Sequence, residues 1–181
     1  MNDLYVQVRL SLLKRWRKKP VLVYPIPPAP PTAILVNGFR SAGNTRVFEN
    51  GWSEEALLFA PTAIAATPAQ LDALRSTPIP SLRNAIIALV RPGEPNLSED
   101  DREHLWRAFR VPVFEQRIDE SCTLLAAECE AHDGLHLESP DLSPRNGEIL
   151  ETAPCGCGRT TPRLVAPQRV ENLRKVAAYA R

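Results

Sequence analysis

Three cysteines and two histidines in the second half of the chain carry side chains that bind soft metal ions. They are Cys129, His132, His136, Cys155 and Cys157. Thiolate and imidazole groups suit a tetrahedral zinc ion, and four such ligands with no open position make a structural site. A catalytic zinc ion would keep only three protein ligands plus water. The residue types therefore predict one structural zinc ion, with the choice between the two histidines open.

The spacing of these cysteines favours a metal site over simple packing. Cys155 and Cys157 are separated by one glycine and followed by another, which predicts a tight knuckle whose backbone N–H groups can point at the sulfurs. Cys129 belongs to a hairpin-like segment with Gly134 at its turn. The alternatives are ordinary buried thiols with surface histidines, or an iron–sulfur cluster. Three cysteines and one histidine fit zinc more simply than a cluster.

The remaining cysteine and histidine point to no chemistry. Cys122 lies in an apolar run, where a free cysteine usually behaves as a small hydrophobe. His104 lies beside Glu103 in a charged segment, and we expect it on a solvated helix face. The sequence has no glycine-x-serine-x-glycine elbow, so a hydrolase triad has no support.

Length and charge limit the class of protein. The 181 residues suit one domain with tails, and 22 Lys plus Arg against 21 Asp plus Glu give no global field that favours nucleic acid. No apolar run approaches the roughly 18 residues of a membrane-spanning helix, and residues 1–20 lack the order of a signal peptide. We therefore expect a cytoplasmic protein whose cysteines serve as metal ligands rather than as a disulfide framework.

The elements that must position the metal ligands are predicted from periodicity. Residues 85–90 form an apolar run, and Ser98 caps a helix with an acidic first turn that presents Leu105, Trp106 and Phe109 inward. A second apolar run at residues 111–114 completes a βαβ unit. The predicted fold class is α/β, with a small, mostly parallel sheet flanked by helices and a zinc-bound hairpin and knuckle.

Caps and turns predict further elements. Short strands are expected at residues 33–36 and 45–48, around glycine-containing turns. Ser53 can cap a short helix, and Thr67 begins a capping box that ends in Gln70. These elements would precede the βαβ unit and extend its sheet.

Three regions of the chain are predicted. Residues 1–31 comprise a basic amphipathic helix and a proline-rich strap, residues 32–165 the α/β domain with the zinc site, and residues 166–181 a C-terminal packing helix. The strap is an extended linker or covers a sheet edge. The basic helix leaves open a membrane surface or nucleic acid as its target.

Several motifs resemble the phenylacetate–CoA ligase branch of the adenylate-forming, AMP-binding enzymes. The similar stretches include a turn at residues 91–95, AECEAHDGLH at residues 127–136 and CGCGRTTPRL at residues 155–164. Their order matches over roughly residues 55–165. The resemblance implies a partial adenylate-forming-type domain. In resembling ligases with this pattern the second histidine is the ligand, which implies a zinc site made of Cys129, His136, Cys155 and Cys157.

The resemblance also implies adenylate-binding residues. The turn near the adenine corresponds to Gly93, Glu94 and Pro95, and the loop that touches nucleotide and magnesium corresponds to a segment that includes Glu120. In that loop Arg117 stands where the family has a tyrosine. The family's glycine-rich phosphate loop, its ribose-binding aspartate and its C-terminal lysine domain have no good counterpart in this sequence, so binding of ATP or AMP is doubtful.

These differences predict a catalytically degenerate, zinc-binding homologue that acts as a binding or interaction module. Its partner would be another protein or a small acyl or adenylate ligand. One alternative is a ligase-type enzyme or subunit that still binds an adenylate or an acyl-CoA. A second alternative is a zinc-ribbon-like nucleic-acid accessory protein, although aromatic residues are not interleaved with the basic ones as such proteins require. Bound zinc would contribute on the order of 10 kcal/mol to folding.

Overall fold

A computed structural model describes residues 18–145 and 147–166, and this part of the chain contains nine strands and three helices. The predicted N-terminal helix, up to residue 17, and the C-terminal helix from residue 167 lie outside the described residues. None of the described helices is long and apolar enough to cross a membrane. The elements are β1 (Thr32–Ile34), β2 (Thr45–Val47), α1 (Glu54–Leu58), β3 (Ala63–Ala66), α2 (Pro68–Leu74), β4 (Ala85–Val90), α3 (Glu99–Phe109), β5 (Val113–Ile118), β6 (Leu124–Glu128), β7 (Leu135–Leu137), β8 (Ile149–Glu151) and β9 (Arg163–Val165).

All nine strands form one sheet in the order β2-β1-β3-β4-β5-β6-β7-β9-β8. The pairs from β2 to β5 are parallel, whereas the pairs from β5 to β8 are antiparallel. The prediction of a mostly parallel sheet is therefore wrong, because the sheet is mixed. The connections after β5 are short or lack helices in the described chain, and such connections join antiparallel neighbours, whereas a parallel pair needs a longer crossover.

The predicted βαβ unit is present as β4, α3 and β5. Ser98 caps α3, since its hydroxyl accepts a hydrogen bond from Asp101 N at 3.1 Å. Leu105 is buried as predicted, but Trp106 is 49% exposed, so its predicted inward orientation is wrong. The guanidinium of Arg110 lies 4.8 Å from the centroid of the Trp106 ring and covers part of it. The buried apolar face of α3 is therefore narrower than predicted, because Trp106 lies outside it.

Strand β5 extends further than the predicted run at residues 111–114. It includes Gln116, Arg117 and Ile118, so Arg117 lies in a strand and not in the loop that the family resemblance implies. All of its residues are buried because the strand pairs with β4 on one side and with β6 on the other. A buried charge in a central strand requires a partner, and Arg117 finds one in Glu148.

The two helix caps near the start of the domain are confirmed. Ser53 accepts a hydrogen bond from Ala56 N at 3.4 Å, and Thr67 accepts one from Gln70 N at 3.3 Å. The Gln70 side chain also donates to Leu35 O at 2.8 Å, which ties the start of α2 to the end of β1. The two predicted N-terminal strands are present as β1 and β2.

Different structures cover the two faces of the parallel half of the sheet. The three helices cover one face, where they bury Ala56, Leu71 and Leu105. The proline-rich strap contributes Leu22 and Tyr24 to the apolar cluster on the opposite face. Its carbonyl at residue 23 also accepts a hydrogen bond from the Gln116 side chain at 2.7 Å. The strap therefore covers a face of the sheet rather than an edge.

Candidate metal centre

The predicted metal ligands come from three places in the antiparallel half of the sheet. Cys129 directly follows β6, and His136 is the central residue of β7. Cys155 and Cys157 lie in the loop between β8 and β9. Strand β7 pairs with β6 on one side and with β9 on the other, so the ends of these strands lie side by side. The sheet thus brings together residues that are separated by up to 28 positions in the chain, from 129 to 157.

The ligand atoms have the spacing of a tetrahedral site. Cys129 Sγ lies 3.6 Å from Cys155 Sγ, and Cys157 Sγ lies 3.5 Å from His136 Nε2. All four atoms lie within 4.8 Å of one another. Zinc bonds of about 2.3 Å to sulfur and about 2.0–2.1 Å to nitrogen would place two sulfurs roughly 3.8 Å apart, and a sulfur and a nitrogen roughly 3.6 Å apart. This cluster of three cysteines and one histidine could bind a metal ion.

Burial sets the ionisation of the cluster. Cys129 and His136 are fully buried, Cys155 is 5% exposed and Cys157 is partly exposed. Burial, together with the neighbouring thiols, raises the pKa of Cys129 to about 12. Burial also lowers the pKa of His136, which favours the neutral imidazole that a metal requires. A metal ion would therefore have to displace the proton of Cys129 when it binds.

The Cys155 thiol has the opposite pKa shift. Burial acts to raise its pKa, but hydrogen bonds from the backbone and thiol of Cys157 and from the thiol of Cys129 outweigh that effect, and the pKa is lowered. The knuckle is closed by hydrogen bonds from Cys155 N to Arg159 O at 3.1 Å and from Gly158 N to Cys155 O at 2.9 Å. Of the backbone N–H groups predicted to point at the sulfurs, that of Cys157 acts on the Cys155 thiol.

A hydrogen bond to Thr161 fixes the imidazole ring of His136. Its Nδ1 atom lies 2.8 Å from Thr161 Oγ1, while Nε2 faces the sulfurs. If Nδ1 carries the proton and donates to the hydroxyl, Nε2 is left with a free lone pair for a metal. The threonine thus orients the ring so that Nε2 faces the sulfurs, and the Nδ1–H tautomer is the one that can act as a ligand.

The other candidate residues lie outside the cluster. The His132 ring stacks on Phe114, with centroids 4.6 Å apart, and its Nδ1 lies 3.9 Å from a carboxylate oxygen of Glu128. Cys122 is buried under Gly38 and its thiol lies 3.3 Å from the carbonyl oxygen of residue 37. His136 rather than His132 therefore shares the site with the three cysteines.

The residues assigned to an adenylate lie at the carboxyl ends of two neighbouring parallel strands. Gly93, Glu94 and Pro95 form the turn after β4, and Glu120 is exposed in the turn after β5. The Glu94 carboxylate accepts a hydrogen bond from Arg91 N at 2.8 Å, within its own turn. The two turns follow adjacent parallel strands. The Glu94 carboxylate, however, binds the backbone of its own turn, not a group in the turn that carries Glu120.

Sequence reasoning missed a cluster of buried charges on the helix-covered face of the sheet. This buried charge cluster consists of Arg102, Glu115, Arg117, Glu128 and Glu148, and it lines a cleft of about 60 Å³. Arg102 bridges two of the carboxylates, at 3.1 Å from Glu115 and 2.9 Å from Glu128. The alternation of Glu115 and Arg117 along β5 could have revealed it, because residues two apart in a strand share a face.

The arrangement defines a mixed α/β domain with a candidate metal centre. No protein-family model matches the chain, and no curated protein matches it. Among solved structures it is similar to an open conformation of 2-hydroxyisobutyryl-CoA ligase in complex with 2-HIB-AMP and CoA, with a TM-score of 0.55 and 14% sequence identity. The match covers 77% of this chain and 44% of that ligase chain. At this identity the likeness shows the fold alone.

Proposed function

We propose that this protein is a zinc-binding module with the fold of part of an adenylate-forming ligase, and that it binds a partner rather than catalysing ligation. The observation that carries the proposal is the convergence of four ligand atoms within 4.8 Å of one another. Three of the four ligands are buried, and four ligands from the end of β6, from β7 and from the loop before β9 would leave no open position for a substrate. These properties are typical of a structural zinc site.

Zinc bound at this site would act as a clamp on the antiparallel half of the sheet. Cys129 and His136 would fix the hairpin of β6 and β7, and Cys155 and Cys157 would fix the loop before β9. Strand β8 lies at the end of the sheet and pairs only with β9 among the described strands. Because β8 and β9 are each three residues long, a covalent-strength link between their loop and the hairpin would stabilise this edge.

The buried charge cluster supports a role other than ATP-dependent ligation. Arg117 lies where the resembling ligases have a nucleotide-loop tyrosine, and its guanidinium is paired with Glu148. Arg145 donates to Glu94 O at 2.6 Å and to Asn96 Oδ1 at 2.9 Å, so a guanidinium occupies the inner side of the turn assigned to the adenine. A nucleotide would have to displace these internal contacts.

Metal analysis of the purified protein tests the zinc proposal directly. We expect one molar equivalent of zinc by elemental analysis, and loss of that zinc in Cys155→Ser. Cys122→Ser is the matched control, because Cys122 is also a buried cysteine but lies outside the cluster. Zinc retained in Cys155→Ser, or absent from native protein prepared without chelators and resupplied with zinc, would refute the proposal.

A second candidate function is binding of an adenylate or an acyl-CoA. It is favoured by the position of Gly93, Glu94, Pro95 and Glu120 at the carboxyl ends of adjacent parallel strands, where open α/β sheets bind their ligands. Calorimetric titration of the zinc-loaded protein with ATP, AMP and CoA distinguishes the two functions. Saturable heat that disappears in Glu120→Ala would establish this second function, whereas no heat with any of the three ligands supports the partner-binding module.

A further inference from the structure

One arginine links the two halves of the candidate metal centre. Arg163 begins β9, is 3% exposed and lies directly opposite His136 in the neighbouring strand. Its Nη1 atom donates to Asp133 O at 2.9 Å and also contacts the Asp133 carboxylate, and Nη2 donates to Ala153 O at 3.3 Å. Asp133 belongs to the β6–β7 turn, whereas Ala153 precedes Cys155 in the knuckle. The guanidinium therefore sets the separation of the two ligand pairs.

Arg163 is also placed to offset the negative charge of the metal-bound site. Three thiolates and one divalent cation leave a net negative charge, which is costly in a buried position without a nearby cation. The guanidinium of Arg163 lies close enough to the Cys155 sulfur for its positive charge and its side-chain donors to act on that atom. Among the described residues, Arg163 Nε is buried and has no hydrogen-bond acceptor within the distance and angle criteria of a hydrogen bond. This buried donor belongs to a side chain that acts on the Cys155 sulfur, so the guanidinium has a donor available for a thiolate at that position.

We propose that Arg163 is a positioning residue of the metal centre, which holds the Asp133 turn against the knuckle and donates to the Cys155 thiolate when a metal binds. This inference rests on the proposed zinc site. It assigns to Arg163 two effects, a geometric one through Asp133 and Ala153, and an electronic one on the sulfur of Cys155. Residues that orient metal ligands in this way commonly change metal affinity about 10–100-fold when they are replaced.

Titration with cobalt(II), which takes the same tetrahedral ligand sets and reports on them by absorption, tests the inference. We compare Arg163→Met, which removes the charge and the donors, with Arg163→Lys, which keeps the charge but cannot bridge the same three oxygens. Asp133→Asn keeps Arg163 but weakens its anchor. Arg159→Met is the control, because Arg159 is an exposed arginine of the neighbouring β8–β9 loop and its guanidinium contacts Glu138.

The native protein should bind one equivalent of cobalt with the intense sulfur-to-cobalt charge-transfer band of thiolate ligands. In Arg163→Met we expect the dissociation constant to rise about 10–100-fold and the band to move to lower energy, because a sulfur without its hydrogen bond donates electrons more readily. Asp133→Asn and Arg163→Lys should show intermediate affinity, and Arg159→Met should match the native protein. The spectrum separates this role from a general loss of stability.

Three outcomes would overturn the inference. If native protein binds no cobalt, both the metal centre and the role of Arg163 fail. If native protein binds cobalt and Arg163→Met binds it with the same affinity and spectrum, the metal centre stands and only the role of Arg163 fails. If Arg163→Met does not fold, Arg163→Lys and Asp133→Asn decide, and native affinity and spectrum in both would overturn the inference.

Discussion

The guanidinium of Arg117 donates two hydrogen bonds to the carboxylate of Glu148, one of them at 3.1 Å, and so joins the centre of the sheet to the segment that enters its edge strand. The two side chains are 1% and 7% exposed. The same carboxylate accepts from Asn96 Nδ2 and from Arg145 N, both at 2.7 Å. Glu148 therefore connects β5, the turn after β4 and the entry to β8.

Removal of the Glu148 charge should destabilise the fold strongly. In Glu148→Gln, Arg117 keeps its buried charge and its 3.7 Å contact with Glu115 but loses its hydrogen-bonded ionic partner. Breaking a buried ion pair in this way typically costs about 3–5 kcal/mol of unfolding free energy. Urea unfolding followed by circular dichroism measures the loss. Arg107→Gln is the control, because Arg107 forms an exposed pair with Glu103 on α3 and its removal should cost at most about 1 kcal/mol. Equal losses in the two variants would contradict this interpretation of the buried pair.

Acid should weaken the fold partly through Glu148. Burial acts to raise the pKa of this carboxyl, but its hydrogen bonds to Arg117 and to Arg145 N outweigh burial and lower the pKa. A lowered folded pKa means that the unfolded chain binds the proton more readily, so stability rises with pH below the unfolded value of about 4.3 and is lost as pH falls through the folded pKa. Unfolding free energies measured at several pH values should therefore fall less steeply in Glu148→Gln than in the native protein on acidification.

Glu115 should show the opposite pH dependence. Burial raises its pKa, and the attraction of Arg102 does not offset this effect. The folded protein then binds the proton more readily than the unfolded chain, so this carboxyl contributes stability at low pH that is lost as pH rises through its folded pKa. Relative to the native protein, Glu115→Gln should gain stability as the pH rises above the unfolded value of about 4.3. A loss over that range would show that Arg102 keeps the carboxylate ionised.

Metal removal should lower the melting temperature markedly. Loss of a structural metal is among the few changes that cost more than about 4 kcal/mol, and about 1 kcal/mol corresponds to roughly 2–4 °C for a protein of this size. We therefore expect chelated protein and Cys129→Ser to melt at least about 8 °C below the zinc-loaded protein by differential scanning calorimetry. Cys122→Ser, treated with the same chelator, should show the same drop as native protein. A melting temperature that is insensitive to chelation would contradict the structural role.

The turn of the metal-binding hairpin should not tolerate a side chain. Gly134 has φ +95°, and a Cβ atom there would lie 2.7 Å from Leu164 O and 2.9 Å from Val165 Cγ2. Gly134→Ala combines backbone strain with a clash against β9, whereas Gly51→Ala adds a Cβ at φ +75° with no atom within 4 Å. We expect Gly51→Ala to cost about 1–2 kcal/mol of unfolding free energy and Gly134→Ala to cost more and to weaken cobalt binding. Equal costs with unchanged cobalt affinity would show that β9 can move away.

The amino-acid sequence by itself determined the local features of this protein. Apolar runs and caps located β4, α3 and the start of β5, since periodicity and capping depend on neighbouring residues alone. Residue type and close spacing pointed to the cysteines and histidines as ligands, because few packing arguments place Cys155 and Cys157 on either side of one glycine.

Tertiary structure decided what depends on distant parts of the chain. The change from parallel to antiparallel pairing at β5 set the mixed sheet and brought Cys129 within 3.6 Å of Cys155, and it left His132 outside the cluster, stacked on Phe114. Backbone pairing with β4 and β6 made a buried strand of a segment predicted as a loop, and Glu148 supplied the ionic partner of Arg117 there. Charges and thiols become buried only when their partners arrive from elsewhere in the chain, so local sequence could suggest the side chains but not their arrangement.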